Sequence, residues 1–216
     1  MISKNRLRAL IAISGRGSHL LNFIHLCATK QLDMDIQGVV CNNPTAAGLI
    51  YAQQAHIPSH VVDHRLFTQR ESFEQELCRI IEFYNPQLII LAGFMRILSP
   101  AFVHQYSGKL INIHPSLLPA FPGLNCHRRA LAAGVKEHGA TVHFVTPDID
   151  HGPQIARIKL RVKSAESEHS LADRVLMLEH LLYPQVIAWI TQGRLSFANQ
   201  CAEFKNERLP VCYDVQ

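Results

Sequence analysis

The stretch Leu110-Ile111-Asn112-Ile113-His114-Pro115-Ser116-Leu117-Leu118-Pro119-Ala120-Phe121-Pro122-Gly123 decides how the rest of the chain is read. Its first five residues have the pattern of a short buried strand. Residues two apart in a strand share a face, so Asn112 and His114 project together. Pro115 cannot donate to a ladder, which puts His114 at or beside the carboxyl end of that strand. In open α/β sheets, ligands bind at that edge. An amide and an imidazole emerging there suit carbonyl chemistry: Asn112 can donate to a developing oxyanion, and His114 can hold or move a proton near neutral pH. Pro115, Pro119 and Pro122 stiffen the loop that follows. A satisfied core histidine, with Asn112 bonded to a nearby turn, accounts for the same letters, so the surroundings have to decide.

Outward from this strand, strand-like and helix-like segments alternate. Upstream, Leu7–Ile13 reads as a buried strand, 18–31 as a helix with Ser18 as its N-cap, and 36–41 as a second strand closed by Asn42-Asn43-Pro44. Residues 46–55 read as helical and 59–62 as a short third strand. The positions Phe73, Leu77, Ile80, Ile81 and Tyr84 predict an amphipathic helix over 69–84. The apolar run 87–92 fits a strand buried on both faces, and Ser99 before Pro100 opens a short helix. Downstream, a helix is expected over 127–133, strands over 140–145 and 154–162, and a long helix over 171–192 ending at Gly193. This alternation predicts a doubly wound, mostly parallel (mixed) α/β sheet with helices on both faces, and one domain over residues 1–216.

Composition narrows the function classes. The chain has 216 residues, is 48% hydrophobic and 18% charged, and carries a formal charge of +4. It can bury a large core, and no Lys/Arg cluster marks a nucleic-acid surface. Six scattered cysteines without Cys-x-x-Cys pairs point to reduced thiols in a cytoplasmic protein. The apolar run 9–13 is too short for a signal peptide and reads as the first strand. No stretch approaches membrane-spanning length. Among 13 histidines there is no His-Glu-x-x-His or similar ligand set, so no metal is expected.

Three further segments lie at strand carboxyl ends. Gly15-Arg16-Gly17-Ser18-His19 joins the first strand to the first helix, where backbone N–H groups favour an anion. It is no dinucleotide fingerprint, because Leu20 takes the third glycine's place and no acid closes the second strand. A single phosphate or a ligand-free tight turn both fit. Ala92-Gly93-Phe94-Met95-Arg96-Ile97-Leu98 can line a pocket for a flat heterocycle or simply pack under the next helix. Asp148-Ile149-Asp150-His151-Gly152-Pro153 is a turn whose acid matters only if it lies near His114, where it would favour the imidazolium.

Taken together and in this order, Gly15-Arg16-Gly17-Ser18, Ala92 through Pro100, Asn112-Ile113-His114-Pro115-Ser116-Leu117-Leu118-Pro119 and Asp150-His151-Gly152-Pro153 resemble the folate-dependent phosphoribosylglycinamide formyltransferases of the formyltransferase superfamily. The resemblance spans 7–210. Phe121-Pro122-Gly123 and the Gly-x-Gly-Ser loop point to the glycinamide ribonucleotide branch. The methionyl-tRNA branch would show a tryptophan-containing basic loop and a second domain. The resemblance implies a Rossmann-like formyltransferase fold, with residues 1–115 binding the ribonucleotide phosphate and 116–216 carrying the acid loop and last helix. It implies transfer of a formyl group from 10-formyltetrahydrofolate, a co-substrate, to the amine of 5-phosphoribosylglycinamide, with no metal. Gly17, Ser18, His19 and Glu179 match the ribonucleotide site. Arg70, Met95, Arg96, Ile97, Leu98 and Asn112 match the folate site. Asn112, His114 and Asp150 match the catalytic set, with Asp150 raising the pKa of His114. The expected partners are these small molecules alone, without nucleic acid or membrane, and the expected assembly is a monomer or weak homodimer.

Four positions depart from the family's pattern. Arg16 and His19 stand where asparagines are usual, and Leu176 stands where a glutamine is usual, one helical turn before Glu179. His151 replaces a glycine beside the acid, which restricts that loop if a positive φ is required there. The rival readings are a formyltetrahydrofolate hydrolase, whose relatives carry an added regulatory domain, and a non-catalytic nucleotide- or folate-binding module.

Overall fold

The leading strand, Leu7–Ile13 (β1), is buried from Ala9 to Ile13, as a central parallel strand must be. The structure is a computed structural model and describes residues 6–204, 207–208 and 213–214. The chain divides into two compact units, Met1–Ile111 and Asn112–Gln216.

In the first unit β1 is followed by α1 (Ser18–Ala28), β2 (Met34–Cys41), α2 (Gly48–Gln54), β3 (Ser59–Val61), a 3-10 turn at His64–Leu66, α3 (Arg70–Tyr84), β4 (Leu88–Leu91) and α4 (Pro100–Gln105). The strands run in the order β4-β1-β2-β3, all parallel, with Ile11 facing Val39 on one side and Ile90 on the other. Phe73, Leu77, Ile80 and Ile81 form the buried stripe of α3, as their spacing predicts. Burying each such side chain contributes roughly 1.5–3 kcal/mol. Glu74 on the same helix is also buried, and its carboxylate accepts from the backbone N–H of Ser99 (2.6 Å) and from the Ser99 hydroxyl. Ser99 Oγ in turn accepts from Phe102 N and caps α4, with Pro100 in the first turn.

β5 (Leu110–His114) spans the division between the units. The second unit continues with α5 (Cys126–Ala132), β6 (Glu137–Phe144), β7 (Gln154–Arg161), α6 (Glu168–Thr191), β8 (Leu195–Ala198), β9 (Cys201–Phe204), β10 (Glu207–Arg208) and β11 (Tyr213–Asp214). Its strands order as β5-β6-β7-β11, with β6 and β7 antiparallel and β7 and β11 parallel, while β8, β9 and β10 form a small antiparallel sheet. The β6–β7 register shifts between Val142 and His143, at the end that leads into the Asp150 turn. α6 packs on β6 and β7, and its Leu171, Val175 and Tyr183 are fully buried.

The predicted elements stand, with shifted ends. The N-cap of α1 is Gly17 in a left-handed conformation (φ 71°), so Ser18 is the first helical residue and its side chain makes no cap bond. That helix stops at Ala28, short of the expected 31. α6 starts at Glu168, earlier than expected, because Ser167 Oγ accepts from Ser170 N and nucleates an extra turn. No membrane-crossing helix, by length and apolarity, occurs among the described residues.

Candidate active site

In the second unit, β5 delivers Asn112 and His114 to one cluster, β6 delivers His143 at its last turn of ladder, and the loop between β6 and β7 brings back Asp150. His114 Nδ1 lies 3.2 Å from Asp150 Oδ2, and His114 Nε2 lies 3.0 Å from the carbonyl oxygen of Phe121. Both ring nitrogens therefore face acceptors, and only the imidazolium can donate to both. His143 Nε2 lies 3.3 Å from the Asn112 amide nitrogen and 3.5 Å from Asp150 Oδ1, while its Nδ1 is 2.9 Å from the Phe144 carbonyl. With the Nδ1 proton given to that carbonyl, Nε2 of the neutral ring accepts from Asn112; protonated, it donates to Asp150.

Asp150 is the hub. Burial pushes its carboxyl up, but the His143 hydrogen bond, the His114 charge and the Gly123 N–H, which donates at 2.8 Å, outweigh that and hold its pKa below the ordinary value. Its side chain is 9% exposed, and that of His114 7%, so the pair works out of bulk water. The loop geometry explains how the acid gets there. Asp150 itself takes the left-handed conformation (φ 57°), which Asp tolerates better than most residues. His151 is not among the positive-φ residues; its exposed ring turns to the Ile149 carbonyl at 2.6 Å. The concern that a residue other than glycine at 151 would restrict the loop is thereby answered. Glycine is needed one position later: a Cβ on Gly152 would lie 1.8 Å from the Phe144 carbonyl oxygen.

The loop after His114 is stiff for a reason beyond its prolines. Buried Thr141 of β6 donates to the Ser116 carbonyl (2.7 Å) and accepts from Leu118 N (3.1 Å), and Ser116 Oγ closes onto the Ala120 carbonyl at 2.6 Å. This clamp places the Phe121 carbonyl against His114.

In the first unit, Gly17, Ser18 and His19 form the turn into α1. A Cβ on Gly17 would lie 2.5 Å from the Cα of Gly48, so the glycine is required both by close approach and by its positive φ. A helix start of this kind presents backbone N–H groups that favour an anion. Arg16 is exposed and His19 buried. Met95 and Ile97 are 65% and 57% exposed, Arg96 and Arg70 are exposed, and Leu98 is buried as the loop's anchor. Sequence reasoning missed what ties these loops together: Ser14 Oγ accepts from Met95 N (2.6 Å) and bonds Asn42 Oδ1 (2.5 Å), while Asn42 Nδ2 reaches His64 Nδ1 at 3.1 Å. It also missed His143, whose only sequence signal is a polar ring within an apolar strand segment. Glu179, from the second unit, is buried on α6, where its charge raises the Cys126 and Tyr183 pKa values after burial has done so more strongly.

Comparison with known proteins sets this geometry in a family. Residues 7–187 match the formyl transferase family. The chain is 45% identical over 201 residues to the phosphoribosylglycinamide formyltransferase of Escherichia coli, covering 93% of this chain and 95% of that one. The solved phosphoribosylglycinamide formyltransferase of Coxiella burnetii superposes with a TM-score of 0.93 at 44% identity, over 97% of this chain and 99% of that one. A formyltetrahydrofolate deformylase from Burkholderia mallei superposes at 0.84 with 28% identity, this chain covering 70% of its length. The likeness at 0.93 makes the fold the mostly parallel, mixed Rossmann-like sheet of these enzymes. On both sequence and structure, this chain belongs to the formyl transferase family.

Proposed function

We propose that the protein transfers a formyl group from 10-formyltetrahydrofolate to the primary amine of 5-phosphoribosylglycinamide, the one-carbon step that gives the formylglycinamide ribonucleotide in de novo purine biosynthesis. The observation that carries this reading is the buried His114–Asp150 pair at 3.2 Å beside the Asn112 amide. It is an acid and an oxyanion donor set, as acyl transfer to nitrogen requires.

Residues 1–216 act as one formyltransferase domain in this reading. Gly17, Ser18 and His19 hold the ribonucleotide phosphate through backbone N–H groups and the start of α1, with exposed Arg16 adding charge. Glu179 takes the glycinamide end. Met95, Arg96, Ile97 and Leu98, with Arg70, hold the folate; exposed Met95 and Ile97 offer apolar surface to its flat ring.

The residues act in sequence. As the substrate amine attacks the formyl carbon, Asn112 donates to the oxygen that gains charge, joined by His114 once its Nε2–H leaves the Phe121 carbonyl. Imidazolium at His114 then supplies a proton toward the departing folate nitrogen, directly or through one water, and the proton that the attacking amine gives up restores it. Asp150 remains ionised throughout and balances the imidazolium. No step calls for a metal. The protein acts on small molecules, without nucleic acid or membrane, as a monomer or weak homodimer in the cytoplasm, where its free thiols stay reduced.

The test follows deformylated folate spectrophotometrically with and without the ribonucleotide. Amine-dependent release identifies a transferase. Release from folate alone identifies a hydrolase, and no release identifies a binding module.

A further inference from the structure

A second constellation lies in the second unit beside the catalytic loop, and the proposed reaction does not use it. Cys126 and His127 open α5, and His138 stands on β6. His127 Nδ1 lies 3.2 Å from His138 Nε2, and one donor atom from each of the three residues lies within 4.8 Å of the others. Cys126 and His138 are buried and His127 half-buried. Two imidazoles and a thiol meeting out of water is an unusual choice for a core, since each brings polar atoms that need partners.

The chemistry of the three fits one kind of guest. Each neutral imidazole carries one unprotonated nitrogen able to ligate, and the two rings already face each other through His127 Nδ1 and His138 Nε2. Sγ of Cys126 donates to the Pro115 carbonyl at 3.3 Å, and its pKa is pushed up to about 11, chiefly by burial. A bound dication reverses that preference and takes the thiolate. Nδ1 of fully buried His138 has the same Pro115 carbonyl nearby and no partner in hydrogen-bonding geometry. A ring ligating through Nε2 would turn its Nδ1–H onto such a carbonyl, the usual support for a metal-bound histidine. Glu179 lends negative charge to both Cys126 and His127. One sulfur and two imidazole nitrogens select soft or borderline cations over magnesium and calcium.

We propose that Cys126, His127 and His138 bind a thiophilic divalent cation of the zinc class through Sγ, Nδ1 and Nε2, with water in the fourth position. On binding, the Cys126 S–H bond breaks, a sulfur–metal bond forms and the proton leaves to water.

The binding test needs no activity. Metal-free protein titrated with Co²⁺ is expected to show a thiolate-to-cobalt charge-transfer band that saturates at one equivalent and is displaced by Zn²⁺. The band is expected to persist in Cys27→Ser and Cys78→Ser and to vanish in Cys126→Ala and in His127→Ala, the latter at a half-buried position that tolerates truncation. A wild-type protein with no such band, or a band that survives both ligand variants, overturns the site.

Discussion

Asp150 Oδ2 lies 3.2 Å from His114 Nδ1, and the same oxygen accepts the amide of Gly123 at 2.8 Å. The carboxylate is thus pinned on two sides before it meets the imidazole, and its other oxygen faces His143 at 3.5 Å. An acid so held can orient His114 without moving during a turnover. Replacing His114 by alanine is expected to lower kcat by about 10²–10⁴-fold with folate affinity nearly unchanged, and Asp150→Asn to lower it within the same broad range. Steady-state kinetics with a separate folate-binding titration check both; a wild-type rate in either variant removes that residue from the chemistry.

Asn112 and His143 divide one task. If Asn112 donates to the developing oxyanion as proposed, Asn112→Ala is expected to cost about 10²–10³ in kcat. His143 acts through Asn112, whose amide it holds at 3.3 Å. His143→Leu loses that bond, worth about 1 kcal/mol, together with the 3.5 Å contact to Asp150, and should slow kcat by at least roughly five- to tenfold with little change in KM. A KM effect with kcat intact would assign His143 a structural part only.

The pH dependence of stability has a definite sign. His138 is fully buried with a pKa lowered from 6.5 to about 4, so between those values the unfolded chain binds a proton that the folded one refuses. Stability contributed by the neutral ring is complete above pH 6.5 and is lost at roughly 1.4 kcal/mol per pH unit as pH falls toward 4. Asp150, with its pKa depressed, contributes stability above 3.8 that is lost only at still lower pH. Denaturant titrations from pH 7 to 4 should show the slope in the native protein and a flatter one in His138→Gln.

Thr141 offers a test of the clamp. It is fully buried, and Thr141→Val keeps its shape while leaving Leu118 N and the Ser116 carbonyl without their partner. The expected loss is about 1–3 kcal/mol of stability. The rate is expected to fall as well, because the loop carries the Phe121 carbonyl that orients His114. An unaltered melting temperature and rate would show that the prolines alone hold the loop.

Much of this was legible in the letters. Period-two spacing put Asn112 and His114 on one face, Pro115 ended the strand beside them, and 3.6-residue spacing drew α3. What was not legible depends on long-range contact. Nothing local says that His143 meets Asp150, since the loop between β6 and β7 has to fold back for the two to come within 3.5 Å. Nor does the sequence say that Thr141 clamps the loop from 25 residues away, or that Ser14 joins Met95 across 81. The positive φ of the acid loop lies at Asp150, so the histidine at 151 in place of glycine does not strain that loop. Cys126 and His127 are adjacent in sequence and His138 is eleven residues beyond His127, a spacing that hides their convergence.

The most direct measurement is a single turnover with isotope-labelled formyl on the folate, the products identified by mass spectrometry. Label recovered on the glycinamide amine, formed at a rate that drops in His114→Ala and Asp150→Asn, is the predicted result. Label recovered as free formate, or arriving on the amine equally fast in those two variants, would contradict the account.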